Sequence, residues 1–328
     1  MISIFFTYRH IDDTWGGANT FIKNIRKFLE DDLSFKVVDS IEDCDIIFMN
    51  QLSSGPGNNS QKIKLSKIKK YILKSPRKIS LVVRAVNLKL NVDFQSKFLT
   101  RFLAYVSDRK TIKLLNIADV VIFQSHYQYK VFRDAGYLGS NYYIINNAVA
   151  SDFWTEHQVE HQVDFKKNDK LILVSASFSV RPIKRFDLIS KISMLPDVRV
   201  IHIGQWPKDV HPGNVVLAGI LNHSEMKKIF KKSHYFLHPA IRDACPNVIL
   251  EALTMGLPVI YNSYEGSSAE LVADAGIALD EKNLDKTIFH AKDRFIKMKL
   301  LALKRRELFR FDFILEKYKE IFMMAEKK

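Results

Sequence analysis

Two carboxylates, Asp243 and Glu251, stand around the predicted start of one helix in the second half of this sequence. The apolar run at 249–255 predicts the helix, and Pro246-Asn247 lies at its start. Proline in the first helical turn loses no hydrogen bond, and the unpaired N–H groups there attract anions. We therefore expect a phosphate at the N-terminus, beside Asn247, and a sugar hydroxyl pair on Glu251, one turn deeper. Helix capping by Asp243, or a surface salt bridge, is the simpler alternative.

Two cations, Arg181 and Lys184, lie between a predicted strand at 170–176 and a predicted helix at 186–195. Positive charge at a helix N-terminus opposes the helix dipole. This unfavourable placement indicates an anionic ligand, and an ordinary basic helix start is the alternative.

Glycine-containing loops follow two of the predicted strands. Gly16-Gly17 comes after the strand at 2–7 and before a helix that we expect to begin near Asn19, and Gly266-Ser267 precedes another predicted helix. Glycine lets the backbone approach a phosphate or a sugar without a Cβ in the way. Many turns also contain glycine, so the position between a strand and a helix is what favours a binding role.

Strands and helices alternate along the whole chain, which predicts an α/β fold with parallel sheets. With 328 residues and 47% hydrophobic content, the chain can bury the cores of two domains. Apolar periodicity is lost at 146–169, so we predict domains at 1–150 and 151–309. The final segment, 310–328, predicts an amphipathic helix.

The motif around the two carboxylates strongly resembles the nucleotide-sugar-binding half of GT-B glycosyltransferases, in the retaining family called glycosyl transferases group 1. That family has two glutamates separated by seven residues, where this chain has Asp243 and Glu251. The sequence Lys-Arg-Phe-Asp at 184–187 is similar to the Lys-Gly-Phe-Asp of the family, with Arg185 in place of the glycine. Ser179 stands where the family usually has an arginine.

This resemblance implies two facing Rossmann-like domains with a cleft between them and a final helix, at 310–328, that crosses back to the first domain. It implies that Glu251 holds the ribose of a nucleotide and that Asp243 contacts the transferred sugar. Lys184 and Arg181 would stabilise the leaving diphosphate. The expected hexosyl transfer retains the anomeric configuration and needs neither a metal ion nor a cofactor. The remaining donor-binding residues would be Gly16, Gly17, Asn247, Gly266 and Ser267.

Two segments of the first domain, 82–94 and 118–136, resemble a subgroup of the same family. We predict that Arg84 and Asn87, together with His126 after the fifth strand, face the acceptor or the transferred sugar. For His126 a structural role is the more common alternative. The resemblance implies a glycan or lipid-linked glycan acceptor, in the assembly of surface polysaccharide or lipopolysaccharide.

The chain has a net charge of +14, and residues 1–150 carry 22 Lys and Arg against 13 Asp and Glu. Eight of these cations lie at 60–78. The segment predicts either a basic amphipathic helix that contacts an anionic membrane through 62–78 or a solvated loop. Nucleic acid is a poor partner, because no aromatic-interleaved motif accompanies the charge.

No apolar run approaches the length of a membrane span, and the N-terminal segment is charged, so neither a span nor a secretory signal is expected. Two distant cysteines, Cys44 and Cys245, indicate a reducing compartment. We expect a cytoplasmic protein, peripheral on the cytoplasmic face of the inner membrane.

Two other functions fit the same architecture. A nucleotide-sugar epimerase would turn over the donor without any acceptor. A non-catalytic protein that binds nucleotide sugar, or scaffolds an assembly complex, would explain why Asp243 and Ser179 depart from the family pattern. A dinucleotide-dependent oxidoreductase is disfavoured, because no Gly-x-Gly-x-x-Gly follows a predicted strand.

Overall fold

The computed structural model describes residues 1–11, 16–52, 65–92, 95, 97–149, 153–154 and 169–326, and the chain divides into two compact units. The first unit consists of Met1–Asn147 together with Asp312–Lys328, and the second consists of Ala148–Phe311. The first unit is therefore discontinuous in sequence. Most of the segment in which we predicted the boundary lies outside the described residues.

A parallel sheet forms the centre of the first unit, with its described strands in the order β2-β1-β3-β4-β5-β6. These strands are β1 (Ile2–Phe6), β2 (Phe35–Val38), β3 (Ile46–Asn50), β4 (Ser80–Arg84), β5 (Val120–Phe123) and β6 (Tyr142–Ile144). The three strands β3, β4 and β5 are buried along their whole length, which explains their nearly continuous apolar sequences. All strands run in one direction, so their carboxyl ends meet at one edge of the sheet.

Helices lie between these strands. They are α1 (Gly16–Glu30), α2 (Leu65–Lys74), α3 (Lys89–Val92), α4 (Phe98–Leu115) and α5 (His126–Asp134). Gly16 and Gly17 are the first residues of α1, so the prediction that they form a loop before a helix starting near Asn19 is wrong. The N–H groups of a first turn have no partner inside the helix, and a helix can therefore begin on glycine. Asn19 lies inside α1, where its side chain bonds both main-chain groups of Ile11.

The basic segment at 60–78, for which the sequence allowed either an amphipathic helix or a solvated loop, contains helix α2. Residues 65–74 are helical, and 62–64 lie outside the described residues. The apolar side of α2 packs inward, because Ile68 is fully buried and Tyr71 and Ile72 pack against the core of the first unit. Leu73 is the exposed large apolar residue of this helix.

The second unit has a parallel sheet of its own, with described strands in the order β12-β11-β10-β7-β8-β9. These strands are β7 (Leu171–Ser177), β8 (Val198–Gly204), β9 (Val216–Gly219), β10 (Tyr235–His238), β11 (Val259–Tyr261) and β12 (Gly276–Ala278). The helices of this unit are α6 (Phe186–Ser193), α7 (His223–Lys231), α8 (Asn247–Thr254), α9 (Ser268–Val272), α10 (Leu284–Asp293) and α11 (Phe295–Arg305). Strands β7 and β10 are neighbours, so the loops that follow them lie side by side.

The last helix, α12 (Phe311–Glu326), returns to the first unit. Its Phe322 packs edge-on against Phe48 of β3, with ring centroids 5.4 Å apart. The Ser80 hydroxyl donates a 2.6 Å hydrogen bond to the carbonyl oxygen of Ala325, and Lys319 pairs with Asp32 at 2.6 Å. Among the described residues, no helix combines the length and the apolar character needed to cross a bilayer.

Candidate functional site

Lys184 and Asp243 form an ion pair at the carboxyl edge of the second sheet. Lys184 ends a short 3-10 turn, Pro182–Lys184, that follows β7, and Asp243 lies in the loop that follows β10. The Nζ atom of Lys184 lies 2.7 Å from Oδ2 of Asp243, and the two side chains are 20% and 17% exposed. The pair is therefore desolvated enough to be strong and still open to a ligand.

Electrostatics keep the Asp243 carboxylate ionised. Burial by itself raises the pKa of this carboxyl group, but the Lys184 ammonium and a hydrogen bond from the main-chain N–H of Cys245 lower it below the usual value. His238, the last residue of β10, is buried nearby. Its burial, and then the charge of Lys184, lowers the pKa of His238 to about 3, so the imidazole is neutral at physiological pH.

Arg185 stabilises the turn that positions Lys184. Its backbone is left-handed, with φ 55° and ψ 49°, a conformation that favours the glycine found there in the family that the sequence resembles. The guanidinium group makes two 3.0 Å hydrogen bonds to the two carboxylate oxygens of Glu281. Asn262 also donates to Glu281, at 2.9 Å. A bidentate pair of this kind offsets the backbone strain, which explains how the chain tolerates an arginine at this position.

Helix α8 starts beside the pair. Asn247 is its first residue, as the apolar run and the preceding proline predict, and Pro246 occupies the N-cap position without a capping side chain. Asp243 lies three residues before Pro246, so it is not the N-cap and the capping alternative is wrong. The salt-bridge alternative is confirmed by the pair with Lys184. Glu251 lies one turn into the helix, with its side chain partly exposed.

The loop after β11 is tied to the loop that carries Asp243. Gly266 has φ 133°, and a Cβ on it would lie 3.4 Å from the main-chain nitrogen atoms of Arg242 and Asp243. The N–H of Ser267 donates to the carbonyl oxygen of Asp243 at 3.0 Å. The Ser267 hydroxyl oxygen is buried and has no hydrogen-bond partner in the described residues. Both residues therefore fix the loop that carries Asp243.

Arg181 opens the turn that ends at Lys184 and is exposed. Its carbonyl oxygen accepts the main-chain N–H of Lys184 at 3.0 Å. Ser179, at the position of the family arginine, bonds Ser177 within the loop after β7. Arg181 thus lies three residues before Lys184 in the sequence, on the solvent side of the turn.

A separate polar cluster lies at the carboxyl edge of the first sheet. Arg84, the last residue of β4, is 3% exposed and donates to the side-chain oxygens of Asn50, at 2.7 Å, and Asn147, at 2.6 Å. Its guanidinium carbon lies 4.4 Å from the centre of the Phe21 ring. Arg84 bonds neither Asn87, whose carbonyl oxygen accepts from Gln51, nor the exposed His126 at the start of α5.

This cluster is rich in unused donors. Among the described residues, Arg84 Nε, Asn50 Nδ2 and the Thr7 hydroxyl oxygen are buried without a hydrogen-bond partner. Asn50 uses its carbonyl oxygen for Arg84, so the group left over is its NH₂ donor. A buried cation surrounded by neutral amides and unpaired donors is suited to an anionic group.

Sequence reasoning missed several residues of both sites. His238 is buried near the Lys184–Asp243 pair, and Glu281, itself bonded by Asn262, holds Arg185. Asn50 and Asn147 hold Arg84. A usable signal did exist for His238 and Asn50, because each is a polar residue at the last position of an apolar strand. Among the described residues, no three His, Cys, Asp or Glu side chains lie close enough together to hold a metal ion.

Comparison with known proteins gives a family match and several structural matches. Residues 172–296 match the family described as Glycosyl transferases group 1. No curated protein sequence matches the chain. Sucrose-phosphate synthase from Thermosynechococcus elongatus is 12% identical and matches 99% of both chains with a TM-score of 0.69.

Two further solved structures have the same extent of similarity. WaaG, a glycosyltransferase involved in lipopolysaccharide biosynthesis, is 16% identical and matches 98% of this chain and 99% of its own, with a TM-score of 0.65. HepE of Anabaena, solved in complex with UDP-glucose, is 14% identical and matches 99% of this chain and 100% of its own, with a TM-score of 0.68. These likenesses span both units, and the chain therefore has the GT-B fold, with residues 172–296 matching the family model of glycosyl transferases group 1.

Proposed function

We propose that the chain is a retaining glycosyltransferase that moves a sugar from a nucleotide-sugar donor to a glycan or glycolipid acceptor. One observation carries the proposal. Lys184 and Asp243 are paired beside the start of α8, and Glu251 lies one turn into that helix. A cation and the N–H groups of a first helical turn suit a diphosphate, and two carboxylates suit the hydroxyl groups of a sugar and a ribose.

Lys184 is the group that stabilises the leaving diphosphate. Of its three N–H donors, one is used by Asp243. The other donors and the main-chain N–H groups at the start of α8 would bind the phosphate oxygens. When the bond from the anomeric carbon to the phosphate oxygen breaks, its electron pair passes to that oxygen, and these groups stabilise the charge. Arg181 adds a second cation in this proposal.

Asp243 has two tasks in the proposed reaction. It holds Lys184 in place, and as an ionised carboxylate it accepts a hydrogen bond from the transferred sugar. The acceptor oxygen attacks the anomeric carbon on the face that the phosphate leaves, and the acceptor proton passes to the departing phosphate, so the configuration is retained. His238 has a pKa of about 3, so it is not the proton donor at neutral pH.

The acceptor side is assigned in this proposal to the first unit, at Arg84. The buried guanidinium group and the unpaired donors of Asn50 and Thr7 favour an acceptor that carries a phosphate or a carboxylate. Surface polysaccharide and lipopolysaccharide assembly provides such acceptors, and WaaG is involved in lipopolysaccharide biosynthesis. We further propose that the reaction needs no metal ion, so that transfer continues in EDTA, and that it takes place in the cytoplasm.

The first experiment is thermal unfolding in the presence of UDP, GDP, ADP, CMP and dTDP, with and without attached sugars. A ligand at a hundred times its Kd stabilises the protein by about 2.7 kcal/mol, which shifts Tm by several degrees. We expect one nucleotide to raise Tm, and we expect Glu251→Ala to abolish that shift. Absence of a shift with all five nucleotides would contradict a donor site at α8.

The rival functions give different results with the same nucleotide. An epimerase would convert the nucleotide sugar to its isomer without any acceptor, whereas a transferase releases the nucleoside diphosphate only as the sugar moves to an acceptor or to water. A non-catalytic binding protein is favoured by Ser179 and by the neutralisation of Lys184 by Asp243. It would bind the nucleotide sugar and release no product at all.

A further inference from the structure

Helix α4 carries a large apolar face that no other described element covers. Six of its residues are large, apolar and exposed to solvent, among them Phe98 at 86% and Leu103 at 60%, and the full set is Phe98, Leu99, Phe102, Leu103, Tyr105 and Val106. A soluble surface normally shows such side chains singly. Six within nine consecutive residues form a contiguous patch.

The orientation of α4 is fixed by its opposite side. With 3.6 residues per turn, the six exposed residues fall within an arc of roughly 160°. The buried residues Ala104, Asp108 and Thr111 lie across the helix from that arc. Asp108 accepts hydrogen bonds from the main-chain N–H groups of Lys89 and Leu90, both at 2.9 Å, which ties α4 to α3. The apolar face therefore points away from the core of the first unit.

Cations continue the same face toward the C-terminal end of the helix. Arg109, Lys110 and Lys113 are exposed and project within the arc of the apolar residues. The acidic residue of α4, Asp108, is buried on the other side, so the exposed face carries no negative charge of its own. The face is thus apolar over its first two turns and cationic over the turns that follow.

Helix α2, the basic segment that the sequence favoured for membrane contact, lacks this combination. It carries the exposed cations Lys67, Lys69 and Lys70, but Ile68 is fully buried and its apolar side packs on the core. Leu73 remains for contact with an apolar phase. Helix α2 can therefore add positive charge near a surface, but it cannot insert an apolar face.

We propose that α4 docks the first unit onto an anionic lipid bilayer. Phe98, Phe102 and their neighbours would enter the boundary between headgroups and acyl chains, while Arg109, Lys110 and Lys113 contact lipid phosphates. The charge pattern selects this partner over a second copy of the chain. In a two-fold symmetric contact the same patch meets itself, and a face without an acidic residue offers the cations of either copy no opposite charge. This inference is independent of the proposed glycosyl transfer.

The test is flotation of the full chain with phosphatidylcholine vesicles prepared with and without phosphatidylglycerol, at low and at high salt. The parent protein is expected to bind the vesicles that contain phosphatidylglycerol, with binding that weakens as salt rises. The double variant Phe98→Ser/Phe102→Ser should bind these vesicles at least about tenfold more weakly. Removal of two cations in Arg109→Gln/Lys110→Gln should cost about fivefold per charge, as expected for cations near an anionic surface.

Leu73→Ser is the matched control, because Leu73 is an equally large, exposed apolar residue on the basic helix α2 of the same unit. It should bind like the parent, and all variants should keep the parent's Tm, because the replaced side chains lie in solvent. Loss of binding in Leu73→Ser with parent-like binding in Phe98→Ser/Phe102→Ser would overturn the proposal in favour of α2. A parent that does not bind, or that sedimentation shows to be a dimer split by Phe98→Ser/Phe102→Ser, would overturn it as well.

Discussion

The ammonium nitrogen of Lys184 lies 2.7 Å from a carboxylate oxygen of Asp243, although 59 positions separate the two residues in sequence. The sequence alone assigns each a ligand of its own, the diphosphate and the sugar. The contact makes them one unit whose formal charges cancel. In the proposed reaction an anionic donor would share Lys184 with Asp243, and the net positive field would come from the N–H groups of α8 and from Arg181.

Replacing Lys184 by alanine should lower turnover at least about tenfold, because charge on the leaving phosphate loses its closest stabilising group. Asp243→Asn should act differently. It frees Lys184 from its counter-charge, so affinity for the nucleoside diphosphate should hold or rise, while turnover falls because the sugar loses its carboxylate. Steady-state kinetics and nucleotide titration separate the two effects. Lys191→Ala, an exposed lysine on α6, is the control. Parent-like turnover in Lys184→Ala would sink the assignment.

Glu251→Gln should weaken nucleotide binding about tenfold, since hydrogen bonds to a charged acceptor contribute roughly 1.5–3 kcal/mol. The change keeps the size of the side chain and its place on α8 and removes only its charge. Isothermal titration with the nucleotide found in the unfolding screen measures the loss. Glu307→Gln, at an exposed glutamate that pairs with Arg306, should bind like the parent.

Arg185 gives a test of backbone strain. Arg185→Gly removes the pair with Glu281 and relieves the positive φ, whereas Arg185→Ala removes the pair and keeps the strain. The alanine variant should therefore be about 1 kcal/mol less stable than the glycine variant in urea unfolding. At Arg199, an exposed residue of strand β8, the same two substitutions should give the opposite order, because glycine weakens a strand. If the alanine variant were the more stable of the two at position 185, as expected at position 199, Arg185 would not be strained.

The stability of the second unit should fall as pH drops from 7 to 5. Burial lowers the pKa of His202 to about 4, with its ring held between the Ser175 hydroxyl and the Gln205 carbonyl oxygen. Below pH 6.5 this histidine binds a proton in the unfolded chain but stays neutral in the folded chain until about pH 4. Acid therefore favours unfolding, by roughly 2 kcal/mol at pH 5 for such a histidine.

Urea unfolding at pH 7, 6 and 5 measures the slope of the free energy of unfolding against pH. His238 adds a second contribution of the same sign to this slope. His202→Gln should make the slope shallower whatever it does to stability at pH 7. His211→Gln, in an exposed loop, should leave the slope as it is. A parent whose stability does not change over this range would contradict the neutral state of both buried rings.

Arg84→Gln should remove a phosphate site on the first unit. Inorganic phosphate is expected to raise the Tm of a Lys184→Ala protein through Arg84, and that remaining shift should vanish when Arg84→Gln is added. Arg84→Lys should keep part of it, because a lysine retains the charge but not the two-armed contact with Asn50 and Asn147. Arg77→Gln, at an exposed arginine before β4, is the control. A shift that survives Arg84→Gln would place the anion elsewhere.

Local signals predicted the start of α8 at Asn247, because a proline followed by an apolar run specifies a helix start within a few residues. They did not predict that Lys184 meets Asp243. That contact depends on β7 lying next to β10, and strand order is set by the packing of the whole unit rather than by either loop. The parallel α/β architecture of the two sheets was predictable from the alternation of elements, and their strand orders were not.

The two surface helices show a second limit of the sequence. In α2 the apolar residues lie on one side of the helix, a pattern that suggested a membrane-binding face. In the structure that side packs against the core of the first unit. In α4 apolar residues occur on both sides of the helix, so periodicity gave no sign of an exposed face. Sequence patterns predict that a helix has an apolar side, but the fold decides whether that side is covered.

The return of α12 to the first unit has a consequence for synthesis of the chain. Phe48 lies in β3, near the N-terminus, and its aromatic partner Phe322 lies in the last helix. The ribosome must therefore produce the whole second unit before the first core can close. During that interval β3 lacks the cover of α12, and uncovered apolar surface in a partly synthesised domain favours aggregation.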